Sequence, residues 1–478
     1  MARFFAITLA VTAASLLALA AMLSYLDRAP AELANYLQAS LEGSAPFTRQ
    51  LGLAVARHLY AIDRAAALRA QLPELKIGAQ TTASNLASSA HLLTVSSVAQ
   101  ARAAIAQAQA GDVINFLPGT YVFSGENILL NRAGRKDARI TLRAAQAGSV
   151  QLEFSISEGF RVSEAYWLIE NLQIRGNCVP QELCEHAIHV VGKAQHFIAR
   201  NNTMIDFNSA IKINSEQGQM PDEGELDHNS LSNHSSRNTA RAVTVIDLVA
   251  ASGWHIHHNL ITDFIKMRAD QTSYGVFVKG GGANNRITQN IVICEHTLRN
   301  RAGHRVGLSL GGGGTDAAYC RDQQCRAEQT ASVIANNLVI ACSDEGIYLN
   351  KASASRISQN TLIDTLGIGL RFPETSAVIT GNLVDGEIRA HDTAVMELQQ
   401  NEDSKRLGRL ARFVGYHPQR DRFRDLSVFD LAWRNPPAIL KSPFVAGPDL
   451  CGTIRSETAM AGAFDDFSDC LLTKTLAR

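Results

Sequence analysis

Residues 357–371, ISQNTLIDTLGIGLR, contain two short patterns that recur through most of the chain. The first pattern is an asparagine followed by apolar residues, with spacings from 22 to 47 residues between successive copies. Its copies stand at Asn171, Asn202, Asn229, Asn259, Asn290, Asn337, Asn360 and Asn382. A repeat of about 22 residues fits one turn of a solenoid with three short strands, and wider spacings fit the same turn with an inserted loop. We therefore expect the asparagine side chains to stack and to hydrogen-bond from turn to turn.

The second pattern is a five-residue segment that begins with Ala or Gly, as in GIGLR at 367–371. It recurs as AIHVV, AIKIN, AVTVI, GVFVK, GLSLG and GIYLN, with apolar second and fourth residues. Period-two alternation places those residues inside a strand-built coil and the third and fifth residues outside. The predicted outward residues are His189, Lys212, Thr244, Phe277, Ser309, Tyr348 and Gly369 in one column, and Val191, Asn214, Ile246, Lys279, Gly311, Asn350 and Arg371 in the next.

These patterns predict an all-β solenoid, specifically a right-handed parallel β-helix. The Ala-rich, amphipathic segment 97–109 predicts a helix that caps the first turn, because an open solenoid end exposes core and strand edge. The expected boundaries are a signal peptide or membrane anchor at 1–28, a helical stalk at 29–75, a linker at 76–95, the β-helix at 96–445 and a C-terminal cap at 446–478.

Composition limits the functional classes. The 478 residues, 46% of them hydrophobic, are enough for a large core. Lys plus Arg and Asp plus Glu each number 45, so no global positive field exists and general nucleic-acid binding is disfavoured. A local basic groove for an acidic polymer remains compatible with this balance.

The N-terminus and the cysteines indicate export. Phe4 to Leu26 is almost wholly apolar and follows Arg3, which fits a cleaved signal peptide or an uncleaved inner-membrane anchor. Six of the eight cysteines form pairs close in sequence, which predicts disulfides in an oxidising compartment. These pairs are Cys178 with Cys184, Cys320 with Cys325, and Cys451 with Cys470; the pairing of Cys294 and Cys342 stays open. We expect a periplasmic protein or a membrane-anchored one facing the periplasm.

Three longer segments carry a family resemblance. AQAGDVINFLPGTY at 108–121, the repeated asparagine turns, and PDLCGTIRSETAMAGAFDDF at 448–467 resemble the right-handed β-helix family of chondroitinase-B-like and alginate-lyase-like proteins, over residues 94–470. The resemblance implies action on an acidic polysaccharide, a base Lys beside an Arg, and acidic Ca²⁺ ligands just before the Lys. Lys279 stands at the Lys position, but Thr272, Ser273 and Tyr274 precede it. The expected Arg falls near Gly311, with His304, Arg305 or Arg371 as substitutes.

β-Elimination on a uronate requires a base for the proton alpha to the carboxylate and a cation that neutralises that carboxylate. The candidate catalytic residues are Lys279, Lys212, Arg371, Arg305 and Tyr348. The candidate substrate-binding residues are His189, Asn214, Phe277, Asn350 and His304. We therefore favour a polysaccharide lyase, with Ca²⁺ left open as a cofactor.

Other functions remain open at this point. A non-catalytic glycan-binding or scaffold protein of a polysaccharide export system needs the same cationic strip, and a uronate C5-epimerase needs the same proton abstraction. A glycoside hydrolase is a weaker reading, because it needs two facing carboxyl groups and Asp247 is expected at a turn. His255, His257 and His258 could hold a metal ion, but no third ligand is visible beside them, so no metal site is predicted.

Overall fold

The protein is a parallel β-helix of three long sheets. Its computed structural model describes residues 30–41, 45–64, 71–81, 91–299, 301–312, 314–404, 411–441, 447–456 and 459–473. Sheet A has 12 strands, sheet B has 11 and sheet C has 10, and every pairing within them is between strands of successive turns. The predicted fold class, including the right-handed coil expected for parallel crossovers, is confirmed.

The strands follow one another in the order A, B, C within each turn. Sheet A contains Leu92–Val95, Val113–Phe116, Ile140–Ala144, Trp167–Glu170, Ile198–Arg200, Glu225–Asp227, His255–His257, Arg286–Thr288, Val333–Ala335, Ser355–Ser358, Ser376–Thr380 and Val395–Gln399. Sheet B contains Gly119–Ser124, Val150–Ser155, Gln173–Gly176, Thr203–Ile205, Ser230–Ser232, Leu260–Thr262, Ile291–Ile293, Leu338–Ile340, Thr361–Ile363, Leu383–Val384 and Glu402–Asp403. Sheet C contains Ile128–Leu130, Glu158–Val162, His186–Val191, Ile211–Asn214, Val243–Val249, Thr272–Lys279, His304–Leu310, Ile347–Asn350, Gly367–Arg371 and Glu387–His391.

Shorter elements complete the fold. A small sheet joins Gly282–Ala283, Gln329–Thr330 and Ala352–Ser353, and an antiparallel pair joins Phe423–Asp425 to Asp430–Trp433. Single 3₁₀ turns span Gln181–Leu183, Ala317–Tyr319, Arg420–Arg422, Leu426–Val428 and Phe467–Cys470. The α-helices are α1 (Pro30–Ser40), α2 (Pro46–Asp63) and α3 (Val98–Gln107).

The asparagine column between sheets A and B forms a continuous hydrogen-bonded ladder, as predicted. Each Asn Nδ2 donates to the Oδ1 of the next Asn at 2.8–3.1 Å. The ladder comprises Asn202, Asn229, Asn259, Asn290, Asn337, Asn360, Asn382 and Asn401. Asn171 was assigned to it wrongly: Leu172 holds that position and donates its backbone N–H to Asn202, while Asn171 lies one residue earlier. The buried amides satisfy backbone groups at every turn, which fixes the register of the coil.

Helix α3 closes the first turn of the solenoid, as the sequence predicts. Ser97 caps it by accepting a hydrogen bond from the Gln100 backbone N–H at 3.2 Å. Ala101 and Ile105 are buried in the same core cluster as Val95 and Ile114 of the first two strands. The helix therefore covers apolar core that the first turn would otherwise expose.

The predicted stalk is not a free spacer where the structure describes it. Helices α1 and α2 pack against each other through Ala31, Ala34, Ala56 and Tyr60. At the end of α2, Asp63 pairs with Arg412 at 2.5 Å, and Arg64 pairs with Glu295 of the solenoid at 3.0 Å. All four of these charged side chains are almost fully buried, so they dock the helical pair on the β-helix.

Residues predicted as linker and as end cap both pack on the outer face of sheet B. Leu75 and Ile77 join a cluster with Ile291 and Leu338 of that sheet, and with Phe464 of the C-terminal segment. The C-terminal segment therefore lies along the side of the solenoid and not across its last turn. The physical reason is that sheet B carries apolar residues on its outer face as well as its inner one, and these need cover.

All eight cysteines form disulfides, in an arrangement typical of extracellular or periplasmic proteins. The three expected pairs are present, and Cys294 pairs with Cys342, joining neighbouring turns of sheet B. In the described residues no helix has the length and apolar character needed to cross a membrane. The predicted signal or anchor at 1–28 lies outside the described residues.

Candidate active site on the outer face of sheet C

The middle of sheet C presents a column of outward side chains from successive turns. In register, Lys212 lies beside Asp247, Asp247 beside Phe277, Phe277 beside Ser309, and Ser309 beside Tyr348. Neighbouring strands in a sheet are about 4.8 Å apart, so consecutive members of the column are close enough to interact. Five consecutive turns thus bring together charged, aromatic and hydroxyl groups.

The sequence prediction misplaced one turn of this column. Thr244 was aligned with Lys212 and Asp247 was expected at a turn, but Asp247 lies within the strand Val243–Val249 and pairs with Lys212. The segment VTVIDLV permits two phases of alternation, because Val243 and Val245 are apolar and so are Ile246 and Leu248. Only the pairing with the neighbouring strand shows that Ile246 and Leu248 face inward there and that Asp247 faces outward.

Asp247 is the centre of an ion-pair network with two lysines. Its Oδ2 contacts Lys212 Nζ, and its Oδ1 lies 3.7 Å from Lys279 Nζ. The Asp247 side chain is 6% exposed, whereas the two lysines are about one-fifth exposed. Burial alone would raise the pKa of Asp247, but the two ammonium groups outweigh it and hold the pKa below its usual value. The carboxylate is therefore ionised, and it holds two cations side by side at the surface.

An aromatic platform lies next to these lysines. Tyr274 stacks on Phe277 with ring centroids 4.2 Å apart, and Lys279 Nζ lies 4.1 Å from the Phe277 centroid. A Cβ at Gly312 would come within 2.3 Å of the Phe277 ring, so only glycine lets the inserted loop cover that ring. Burial raises the pKa of Tyr274, which keeps its phenol protonated at neutral pH.

A pocket of about 230 Å³ opens over this platform. Its lining includes Lys279, Phe277, Tyr274 and Thr244, with Lys266 and Asp270 on one wall and Thr315 on the other. Thr244 thus faces outward as predicted, although it lies beside Tyr274 and not beside Lys212. Two lysines, one phenol and an almost buried aromatic ring therefore share a single surface cavity.

His189 begins the column on one side of the lysines. Its Nε2 donates to Asn214 Oδ1 at 2.6 Å, and its Nδ1 lies 3.1 Å from Glu158 and 3.3 Å from Arg161. The hydrogen bond from His189 lowers the pKa of Glu158 to about 2. Burial, together with His189, lowers the pKa of neighbouring His186 to about 4. Asn214 and His189 therefore lie together in a network that also includes Arg161 and Glu158.

Tyr348 continues the column on the other side. Asn350 Nδ2 donates to the Tyr348 hydroxyl at 2.9 Å, and Arg371 Nε pairs with Asp392 at 2.7 Å. Burial and the nearby Glu345 raise the pKa of Tyr348. Burial and the adjacent Asp344 carboxylate raise the pKa of Glu345 well above its usual value. This end of the face therefore offers a neutral phenol and a carboxyl group whose pKa is raised.

Two predicted residues do not join the face. Arg305 is 1% exposed, its guanidinium donates to the backbone carbonyls of Arg301 and Ala302, and it pairs with Glu295 at 3.4 Å. Its selection as a neutralising cation was wrong, because the strand His304–Leu310 begins earlier than expected and Arg305 lies beside buried Ser273. His304 is half-exposed and pairs with Asp344 at 3.3 Å, at the strand's outer end.

The Ca²⁺ site implied by the family resemblance does not fit the residues before Lys279. Ser273 is fully buried, Tyr274 stacks on Phe277, and Thr272 lies at the strand end. Asp247, the carboxylate that contacts Lys279, is already paired with two ammonium groups. A hard divalent cation needs several oxygen ligands, and these residues do not supply them.

The residues that the sequence missed are Asp247, Tyr274 and Arg161. Asp247 and Arg161 could have been found from the repeat, because each stands in the same column as Lys212 once the turns are aligned by strand pairing. Tyr274 precedes the five-residue pattern, and the stacking that brings its ring beside Phe277 is a tertiary contact.

Known proteins resemble this chain mainly in fold. The structure of the pectate lyase Pel9A is 14% identical, covers 82% of this chain and 98% of its own, and has a TM-score of 0.53. An alginate lyase from Paenibacillus sp. str. FPU-7 is 13% identical over 66% of this chain and 96% of its own, with a TM-score of 0.44. The A-module of the Azotobacter vinelandii mannuronan C-5 epimerase AlgE4 is 14% identical over 68% and 94%, with a TM-score of 0.43. No curated protein matches the chain.

The sequence profile of one family matches most of the solenoid. The profile described as Chondroitinase B spans residues 95–384, from the first strand to the penultimate turns. The match confirms the resemblance drawn from the sequence and covers all of the column from His189 to Gly369. Because the profile spans more than half of the chain, the protein belongs to the chondroitinase B family.

Proposed function

We propose that the protein binds an extended acidic polysaccharide along the outer face of sheet C and cleaves it by β-elimination at Lys279. The observation that carries the proposal is the pair of ammonium groups that share Asp247 above the aromatic platform. The column from His189 to Gly369 spans six strand intervals, or roughly 29 Å, which suits an elongated polymer. Family membership and the fold likeness to a pectate lyase support the same class of reaction.

The roles of the lysines follow from their positions. Lys212 makes the closer contact with Asp247, so we assign it as the cation that neutralises the uronate carboxylate and stabilises the developing enolate. Lys279, the more loosely held of the two, lines the pocket and, after it has released its own proton to solvent, accepts the proton from C5 of the uronate. The C5–H electron pair then forms the C4–C5 double bond as the C4–O4 bond breaks.

The departing oxygen needs a proton, and Tyr274 is placed to supply it. Its phenol lies in the same pocket as Lys279, and burial keeps it protonated. Proton donation from Tyr274 to O4 completes the step, giving a shortened chain and a product with an unsaturated uronate at its new end. Phe277, almost buried beneath the Gly312 loop, contacts both Tyr274 and Lys279 and helps to hold them in place.

Lys279→Met tests the lyase assignment. We would incubate residues 29–478 with alginate, pectate, dermatan and heparin-type polymers, with and without Ca²⁺, and follow the ultraviolet absorbance of unsaturated uronates. We expect an absorbance rise on at least one polymer and a loss of about a hundredfold or more in the variant, because general-base catalysis contributes that much. Lys136→Met, which removes an exposed lysine from a distant loop, is the matched control.

The alternatives give different results in the same samples. Exchange of solvent deuterium into an uncleaved polymer, lost in Lys279→Met, would replace the lyase with a C5-epimerase. Retention on a polymer column that needs Lys212 and Lys279, without cleavage or exchange, would leave a glycan-binding or scaffold protein. No cleavage, exchange or retention would overturn the proposal.

A further inference from the structure

A second cluster of chemically reactive side chains lies on sheet A, away from the face described above. The strand Glu225–Asp227 pairs with the strand His255–His257, so that Glu225 lies beside His255 and Asp227 beside His257. The residues that follow the two strands are also histidines, His228 and His258. Two successive turns of the solenoid therefore bring four imidazoles and two carboxylates into one surface patch.

Three imidazole nitrogens surround a single carboxylate oxygen. The distances from Asp227 Oδ1 to the Nδ1 atoms are 2.5 Å for His228, 3.2 Å for His257 and 3.8 Å for His258. The Nδ1 atoms of His257 and His258 are 2.8 Å apart, and Glu225 lies 3.1 Å from Nε2 of His257. Asp227, His228 and His258 each offer one ligand atom, all within 4.8 Å of one another.

The turn geometry orients the two end histidines. His228 and His258 both have φ of 52°, in the left-handed region that asparagine and histidine tolerate better than most side chains. Their rings stack with centroids 4.7 Å apart and planes within 6° of parallel. Because each occupies the same turn position in consecutive turns, the solenoid repeat itself holds both Nδ1 atoms toward Asp227.

The patch differs from the group of histidines and carboxylates on sheet C. At Glu158, His186 and His189, the guanidinium of Arg161 lies 3.3 Å from both Glu158 and His189 and occupies the position a cation would take. Within the described part of the chain, no Lys or Arg nitrogen comes within 4.0 Å of Asp227. Asp227 and His258 are also 15% and 24% exposed, which leaves a route for an ion from solvent.

We propose that Asp227, His228 and His258, with His257 as a fourth ligand, bind a divalent transition-metal ion of the Zn²⁺ class. A set rich in imidazole with one carboxylate suits Zn²⁺ in tetrahedral geometry and disfavours Ca²⁺, which prefers oxygen ligands. The sequence of the strand that contains His255 and His257 shows no further ligand. Asp227 and His228 come from the preceding turn, which strand pairing places beside it. The proposal is independent of the function assigned to sheet C.

The site would act as a clamp on the side of the solenoid. The backbone carbonyl of His258 accepts a hydrogen bond from Gly78 N–H at 2.8 Å, and Ser230 Oγ, in the turn of His228, accepts one from Ala79 N–H at 2.9 Å. Residues 71–81 therefore cross the solenoid directly beside both turn histidines. A bound ion that fixes these turns also fixes the backbone to which that segment docks.

The test uses the full chain without a histidine tag, stripped with chelator and titrated with Zn²⁺ by calorimetry, with Co²⁺ as a spectroscopic probe. We expect one Zn²⁺ per chain, a tetrahedral Co²⁺ absorption band, and a higher melting temperature with Zn²⁺. In His228→Asn and His258→Asn we expect affinity to fall at least tenfold, and in the double variant to be lost.

Asparagine is the matched replacement because Asn201 and Asn336, which directly precede ladder asparagines as His228 and His258 do, have φ of 56°. His234→Asn, which removes an exposed histidine that pairs with Asp206, should bind Zn²⁺ like the parent protein. The proposal is overturned if the parent binds no Zn²⁺, if the double variant binds as tightly as His234→Asn, or if Ca²⁺ competes equally with Zn²⁺.

Discussion

The outer faces of sheets A and C each have a carboxylate at the centre of a cluster, but its partners differ. Asp247 on sheet C contacts two lysine ammonium groups, whereas Asp227 on sheet A contacts three imidazoles. Ammonium groups bring positive charge, and two of them against one carboxylate leave a net positive charge at Asp247 that attracts an anionic ligand. Imidazoles offer lone pairs when neutral, so the cluster at Asp227 has ligand atoms for a cation. The same backbone repeat can therefore present a site for an anion or a site for a cation, depending on the side chains next to one carboxylate.

Asp247→Asn should have the largest effect on this contrast. Removing the negative charge leaves Lys212 and Lys279 facing each other without their shared partner, and breaking a buried pair in this way costs about 3 kcal/mol. We expect the free energy of unfolding to fall by that amount and turnover to fall at least tenfold, because neither ammonium is held in place. Urea unfolding and the uronate absorbance assay measure the two effects.

The same variant separates a lyase from a binding protein. With Asp247 neutralised, the face gains net positive charge, so retention on an anionic polymer column should be kept or increased while cleavage falls. Asp137→Asn, in an exposed pair with Arg135 at 3.8 Å, is the control and should change the unfolding free energy by less than about 1 kcal/mol. Unchanged turnover in Asp247→Asn would remove the carboxylate from the proposed mechanism.

The interior of the solenoid was predictable because its rules are local and repeated. Inward residues such as Ile347 and Leu349 alternate with period two, and a buried amide column such as Asn290 to Asn360 recurs at one turn. Each turn must bury the same face and satisfy the same backbone groups, so the pattern is visible in every copy. The predicted ladder differs from the structure only at its two ends: it includes Asn171, which lies one residue early, and it omits Asn401.

The outer faces were harder to predict because their chemistry depends on pairing between turns. Asp247 lies in a strand whose alternation allows two phases. Asp227 and His257 are 30 residues apart in sequence and meet only because their strands pair. Arg305 shows the opposite error: a charged residue in a strand was taken as outward, but Glu295 and backbone carbonyls hold it inside. Because the inserted loops differ in length, the sequence alone does not show which residues of successive turns lie side by side.

His186 should make the sheet C face sensitive to acid. Burial, together with His189 and Lys212, lowers its pKa from the ordinary 6.5 to about 4, although Glu158 acts in the opposite direction. The folded state therefore binds fewer protons than the unfolded state between these values, and stability falls as pH drops from 6.5 toward 4. Between pH 6.5 and 4.5, we expect the free energy of unfolding of His186→Gln to fall by on the order of 2 kcal/mol less than that of the parent.

Urea unfolding at those two pH values checks the prediction, and the lower limit keeps Glu158, with its pKa of about 2, ionised in the folded state throughout. Glutamine retains an N–H donor for the Ser209 carbonyl, which His186 Nδ1 contacts at 3.1 Å. His234→Gln, at an exposed site, controls for the loss of one histidine. An equal pH dependence in His186→Gln and the parent would mean that His186 is not held neutral by burial.

Phe277→Leu should give the smallest effect and refine the picture of sheet C. Leucine keeps apolar cover beneath Gly312 but removes the ring that lies 4.1 Å from Lys279 Nζ and stacks on Tyr274. A cation–π contact at a partly exposed site contributes about 0.5–1 kcal/mol, and this one holds Lys279 in place, so we expect kcat to fall roughly two- to fivefold with little change in KM. Steady-state kinetics on the polymer that gives the strongest signal provides the measurement. A rise in KM with unchanged kcat would instead show that the ring contacts the bound sugar, and it would make Phe277 a substrate-binding residue, as the sequence predicts.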